Sequence, residues 1–311
     1  MDIFKHIALD GILIAVIAHG LIGLSLVWDK VLLKRPGTQN LFSYVFWLGA
    51  ISIFGLILIP FGFKFPGFKL AGLGFIAGLL DLFASYFYYS ALKAGEASEE
   101  LAVMGGFAPI ATALISIPLL SSSIGGDLLG FALMTAGGFV MFAAEKQPLK
   151  KMVPRIVLAA GGFGIMSVLQ KIVFNHATFV SGYVFFTIGT TVGALLMLVP
   201  PSWRRQIFEH SEEAPPSSKF WYMVNRFVAG VGSFLVVFAL TKASPSLVSA
   251  ISGVRYVIIF VLAYAITVWK PEWFREDFTK RTLVFKVIAT SLIVAGLILA
   301  GLHGSGTGGG P

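Results

Sequence analysis

Apolar runs about as long as a bilayer is thick recur along this chain, each closed off by Gly, Pro or charged residues. A helix rises about 1.5 Å per residue, so some 20 apolar residues cover a hydrocarbon core of about 30 Å. No water reaches that core to satisfy backbone N–H and C=O groups, so runs of this kind are read as helices. Ten candidate spans result: Ala8 to Leu33, Asn40 to Phe63, Phe68 to Leu92, Ser98 to Leu120, Gly126 to Ala144, Val153 to Asn175, Phe179 to Val199, Lys219 to Lys242, Ser246 to Trp269 and Thr282 to Leu302. Composition agrees. Hydrophobic residues make up 57% of the chain and charged residues 12%, about half the charged share of a soluble domain.

Sliding the chain on itself uncovers an internal likeness. At an offset of 141 residues, Gly20, Gly23, Val27 and Lys30 fall on Gly161, Gly164, Val168 and Lys171. At an offset of 148, Ser85, Ala91, Leu92, Ser98, Ala102, Gly105 and Ile110 fall on Ser233, Ala239, Leu240, Ser246, Ala250, Gly253 and Ile258, the extra residues being absorbed around Arg204 to Ser218. An odd number of spans per half would send the second copy into the membrane upside down. The expected fold is therefore an all-α membrane protein of ten transmembrane helices, arranged as two inverted five-helix repeats at residues 1–147 and 148–303, with a flexible Gly-rich tail at 304–311.

The five-plus-five arrangement, Ala91-Leu92-Lys93 before Ala97-Ser98, Pro109 within the fourth span and Leu129-Gly130 opening the fifth resemble the drug/metabolite transporter superfamily, specifically its EamA-type ten-span carriers. The resemblance implies a carrier of small metabolites in the cell (inner) membrane. Three places depart from the family pattern: Ser121-Ser122-Ser123 and Trp269-Lys270-Pro271 stand where many members have Leu-Gly-Glu, and Val257 stands where the ninth span often has a proline. The run Val254-Arg255-Tyr256-Val257 is similar to the basic ninth-span motif of the phosphate-translocator branch, which implies a cationic site for a phosphate.

Charge sorts the candidate site residues. Arg255 is the only formal charge in the run Ser246 to Trp269, and an arginine at that depth costs about 2.5–3.5 kcal/mol to insert, so it should face a protein interior or a wet cavity. Arg255, Arg226 and Asp81 have no charged counterpart in the other half. They are read as substrate-binding, with Asn225 and Tyr256 as polar liners. Two arginines on the eighth and ninth spans would offer planar donor forks to one phosphate or carboxylate. Asp81 is expected either to pair with an arginine or to carry a coupling proton, and His19, mid-span in the first helix, either to relay protons or simply to bond a neighbour. Lys30 and Lys171, one turn inside their helix ends, are expected to snorkel to the interface, and Glu99 and Glu100 to favour the start of the fourth span behind Ser98.

Orientation is contested. Loops after odd-numbered spans hold sixteen Lys and Arg against four on the other side, which places both termini outside the cytosol; the family resemblance implies both inside. The net charge of +8 lies mostly in these loops and reads as contact with cytosol and anionic headgroups, not nucleic acid. Zero cysteines remove disulfides, thiolate metal sites and thiol nucleophiles. HExxH, paired-histidine metal spacing and Gly-x-Ser-x-Gly are all missing, so the chain is read as no enzyme, with no cofactor and no metal. The leading reading is a secondary transporter for a small anionic metabolite working by alternating access in the lipid bilayer. The competing readings are an exporter of cationic or zwitterionic compounds using its acidic residues, a non-transporting scaffold, or an enzyme for lipid-linked substrates.

Overall fold

The computed structural model describes residues 11–33, 40–94, 97–120, 128–143, 153–212, 215–269 and 279–304. Helices α1 (Gly11–Leu32), α2 (Leu41–Ile51), α3 (Phe68–Ala94), α4 (Ala97–Leu120), α5 (Leu128–Ala143), α6 (Val153–Phe174), α7 (Phe179–Leu196), α8 (Pro201–Glu212), α9 (Pro216–Ala239), α10 (Pro245–Ile251), α11 (Val254–Trp269) and α12 (Lys280–Gly304) follow one another, and α2 runs on as a 3-10 helix over Ser52–Phe61. Local chemistry sets several starts. The side chains of Asn40, Thr178 and Ser244 accept the N–H of Ser43, Ser181 and Leu247 and so cap α2, α7 and α10. Pro216 and Pro245 occupy first-turn positions, where the missing N–H costs nothing. Large apolar side chains lie bare on the outside: Phe68 is 88% and Phe227 74% exposed, the arrangement of a surface solvated by lipid. The chain is a multi-pass α-helical membrane protein.

The expectation of ten spans in two inverted five-helix repeats is corrected. Among the described residues six helices are long and apolar enough to cross: Gly11–Leu32, Leu41–Phe61, Phe68–Lys93, Val153–Phe174, Phe179–Leu196 and Pro216–Ala239. The other four apolar segments, Phe107–Leu120, Leu128–Val140, Val257–Trp269 and Leu283–Gly296, are shorter. For the ninth run the reason is physical: Ser246 to Trp269 is split by a turn at Ser252–Gly253 into α10 and the 16-residue α11. The halves also differ in their elements. The second contains α8, an additional amphipathic helix, and the α10–α11 break; the first contains the α2–3-10 continuation. No inverted-repeat topology is shown.

Close helix crossings hold the bundle together. A Cβ on Gly78 would lie 2.0 Å from the Phe186 carbonyl oxygen and one on Gly189 2.0 Å from that of Phe75, so α3 and α7 touch backbone to backbone. Such crossings draw on packing, because lipid tails supply no hydrophobic drive between helices. Helix α1 packs against α9 and α11, α3 against α6 and α7, and α5 against α12.

Contacts along the helices fix depth. Asp29 of α1 meets Arg226 of α9, and Lys30 donates to the carbonyl of Leu92 at the end of α3 (2.8 Å); this is the Leu32 end of the bundle. Gly11 of α1 lies against Lys242 and Ala243, and Lys171 donates to the carbonyl of Leu240 after α9 (2.8 Å); this is the Gly11 end. Both lysines were expected to snorkel. Each instead satisfies a carbonyl that the end of a neighbouring helix leaves without an intrahelical partner.

Candidate functional site

Two closed layers bound the middle of the bundle. At the Leu32 end, Asp29 is fully buried (0% exposed) and ion-paired with Arg226, itself 5% exposed. Tyr44, Tyr89 and Asn225 also donate to the Asp29 carboxylate. Arg226 reaches Tyr89 Oη at 3.0 Å and Tyr44 Oη at 3.2 Å, and its guanidinium carbon lies 5.1, 5.7 and 5.4 Å from the ring centres of Tyr44, Tyr89 and Tyr222. Tyr222 donates to the Tyr44 carbonyl (2.9 Å), and Asn225 to that of Ser25 (3.2 Å). Four elements, α1, α2, α3 and α9, thus converge on one neutralised pair. Burial of a pair on these terms is tolerable because nearly every lone pair and N–H is used; among the described residues, Arg226 Nε is the exception.

At the Gly11 end the closure is aromatic. Phe179 at the start of α7 packs on Phe174, Tyr183, Phe234 and Phe238, with ring centres 5.1–5.5 Å apart. Tyr183 also meets Phe234 (5.2 Å). These rings tie α6 and α7 to α9 through apolar contact.

Between the layers lie polar groups at one depth. Gly162 of α6 faces Ala84 of α3, and Gly164 faces Thr112 of α4. Thr112 bonds Ser249 of α10 (3.3 Å). The neighbouring Val248 carbonyl accepts from His19 Nε2 (2.9 Å), and Arg255 Nε donates to His19 Nδ1 (2.9 Å). The break explains that carbonyl. Ser252 and Gly253 donate three residues back, to Ser249 and Ala250, so Val248 loses its helical partner and is left for the imidazole. The histidine is thereby held as the Nε2–H tautomer.

Asp81 lies one turn from Ala84. Its neighbours on the same face of α3, Ala77 (0%), Ala84 (0%) and Ser85 (6%), are buried, and Asp81 keeps partial exposure. Gln170 of α6 is 0% exposed, and among the described residues both of its amide atoms lack a hydrogen-bond partner. It shares a face with Phe163, two turns earlier, which packs against Tyr88 of α3.

The structure therefore groups the anticipated residues differently. Arg255 and His19 are joined. Arg226 is tied to Asp29, six residues along α1 from Gly23, which sits under Arg255, a separation of about 9 Å; the two arginines do not form one fork, and the carboxylate paired with Arg226 is Asp29 in place of Asp81. Asn225 belongs to the same buried network. Tyr256 lies on α11, its side chain outside the described set, as are those of Glu99 and Glu100 and the tail from 305 onward. Asp29 and Gln170 were missed by sequence reasoning. Asp29 carried a signal, since an acid within an apolar run needs a cation, and Arg226 is one in another such run.

No family model matches the chain, and no curated protein matches it. A solved structure described only as the crystal structure of a protein is similar over 96% of this chain and 99% of its own, with a TM-score of 0.64 at 18% identity. That likeness shows the fold alone.

Proposed function

We propose that the chain is a secondary transporter of the cell (inner) membrane that carries a small metabolite with an anionic group, by alternating access to a site at mid-depth. The observation that carries this reading is the set of polar groups enclosed at one depth, His19 with Arg255, Thr112 with Ser249, and Asp81, between an ionic layer and an aromatic one. Irregular backbone inside a membrane protein is tolerated where protein buries it or where it lines a cavity, and broken helices of this kind recur around carrier sites. Arg255 follows the break directly and supplies a cation at that depth. The resemblance of Ala91-Leu92-Lys93, Pro109 and Leu129-Gly130 to EamA-type carriers belongs to the same reading.

A ligand that binds only the native state raises its apparent stability. Purified protein screened by thermal unfolding against sugar phosphates, organic acids, amino acids and amines is expected to respond to an anion, and Arg255→Glu to abolish both that response and uptake in proteoliposomes. Full anion uptake by Arg255→Glu would end the reading.

Asp81 supports a second reading, in which its partly exposed carboxylate attracts a cation or carries a coupling proton. Under it the thermal screen responds to amines, and Asp81→Asn abolishes the response while Arg255→Gln keeps it.

A further inference from the structure

A cavity of about 790 Å³ opens at the Gly11 end, above the aromatic layer. Its basic lining residues are Lys64, His176 and Lys242, its neutral polar ones include Asn175, Ser181 and Thr241, and no Asp or Glu is among the described residues that line it. The fold builds this place deliberately. Gly62 (φ 114°) and Gly67 (φ 88°) take left-handed conformations that bracket Lys64, and the Lys64 N–H donates to Ser181 Oγ (3.0 Å), which fastens the loop to α7. His176 Nδ1 bonds the Ile172 carbonyl (3.0 Å), anchoring the ring. Lys242 lies with Nζ 5.9 Å from the Phe238 ring centre. The amino end of the 18-residue α7, at Thr178 and Phe179, belongs to the same lining and contributes the positive end of its dipole.

We propose that this vestibule is an anion-reception site, in which Lys64, His176 and Lys242 gather a phosphate or carboxylate group before it passes the aromatic layer. The inference rests on the reading of the chain as an anion carrier and names where the solute is first held. A concave basic surface with low-dielectric walls focuses its field outward and raises the local concentration of anions. The same chemistry would also hold the phosphate of a lipid headgroup, and the test separates the two sources.

The chain contains no cysteine, so a single one reports its own surroundings. Ala177→Cys, with Thr241→Cys as a second position, is reconstituted in vesicles of zwitterionic lipid and treated with anionic sulfonatoethyl or cationic trimethylammonioethyl methanethiosulfonate. Relative to a free thiol, the anionic reagent is expected to react about tenfold faster than the cationic one, a preference that falls with salt. Adding Lys64→Gln and Lys242→Gln is expected to erase it. Slowing by inorganic phosphate assigns the site to solutes; slowing only when phosphatidylglycerol is included assigns it to headgroups. A ratio equal to that of the free thiol at both positions, or one that the lysine substitutions leave unchanged, overturns the proposal. Failure here with the Arg255-dependent anion response intact removes the vestibule and leaves the carrier. A high ratio without anion uptake does the reverse.

Discussion

The two ends of the bundle interior are shut by unlike chemistry. At the Leu32 end, Asp29, Arg226 and three tyrosines form a network of mutual hydrogen bonds and ring contacts around one ion pair. At the Gly11 end, Phe174, Phe179, Tyr183, Phe234 and Phe238 pack ring against ring. A buried ion pair parts all at once or not at all, because a half-opened pair leaves a charge in low dielectric. Stacked rings yield gradually, each contact contributing little. The first layer therefore resists partial opening, whereas the second yields by degrees. Loss of one partner should be severe at the ionic end and mild at the aromatic end.

The largest effect is expected from Asp29→Ala, which strands Arg226 in the interior. Thermal unfolding in detergent should report a loss of about 3–5 kcal/mol, or a protein that fails to accumulate. Neutralising both partners, as Asp29→Asn with Arg226→Gln, should restore most of that loss. Tyr222→Phe removes a single bond, to the Tyr44 carbonyl, and should cost about 1 kcal/mol. At the other end Phe179→Leu keeps most of the apolar volume and should cost under about 1 kcal/mol, while admitting thiol reagents more readily from the Gly11 side. Arg205→Ala should leave the unfolding midpoint where it was. Arg205 pairs with Glu209 on the exposed face of α8, and the hydrogen bond it donates to the Glu209 carboxylate raises its proton affinity further. A cation whose affinity is raised on folding loses its contribution only as pH rises through the folded value, so a scan between pH 5 and 8 should show no dependence on this pair.

Much of the framework could be read from residue order. α1, α3, α6, α7 and α9 are long apolar runs with polar stops, and periodicity finds such runs without help. The break at Ser252–Gly253 was written in the chain as a Ser-Gly step inside a run, but hydropathy averages over it and returns one continuous helix. The site was less legible. Arg255 and His19 were singled out individually, each as an ionisable group in an apolar run, yet their bond joins residues 236 apart. The Asp29–Arg226 pair spans 197. Which cation finds which anion is decided by the packing of α1 on α9, and no local pattern carries it. Lys30 and Lys171 show the same limit: position suggested the interface, whereas the nearby ends of α3 and α9 supplied carbonyls in need of a donor.

Access to mid-depth from either side tests the central claim most directly. Ser85 lies one turn from Asp81 and is 6% exposed, so Ser85→Cys in sealed vesicles of known orientation reports access to that depth. The account predicts modification by a membrane-impermeant thiol reagent from each face, with ligand shifting reactivity from one face to the other. Modification from neither face, or from one face alone with and without ligand, would contradict it.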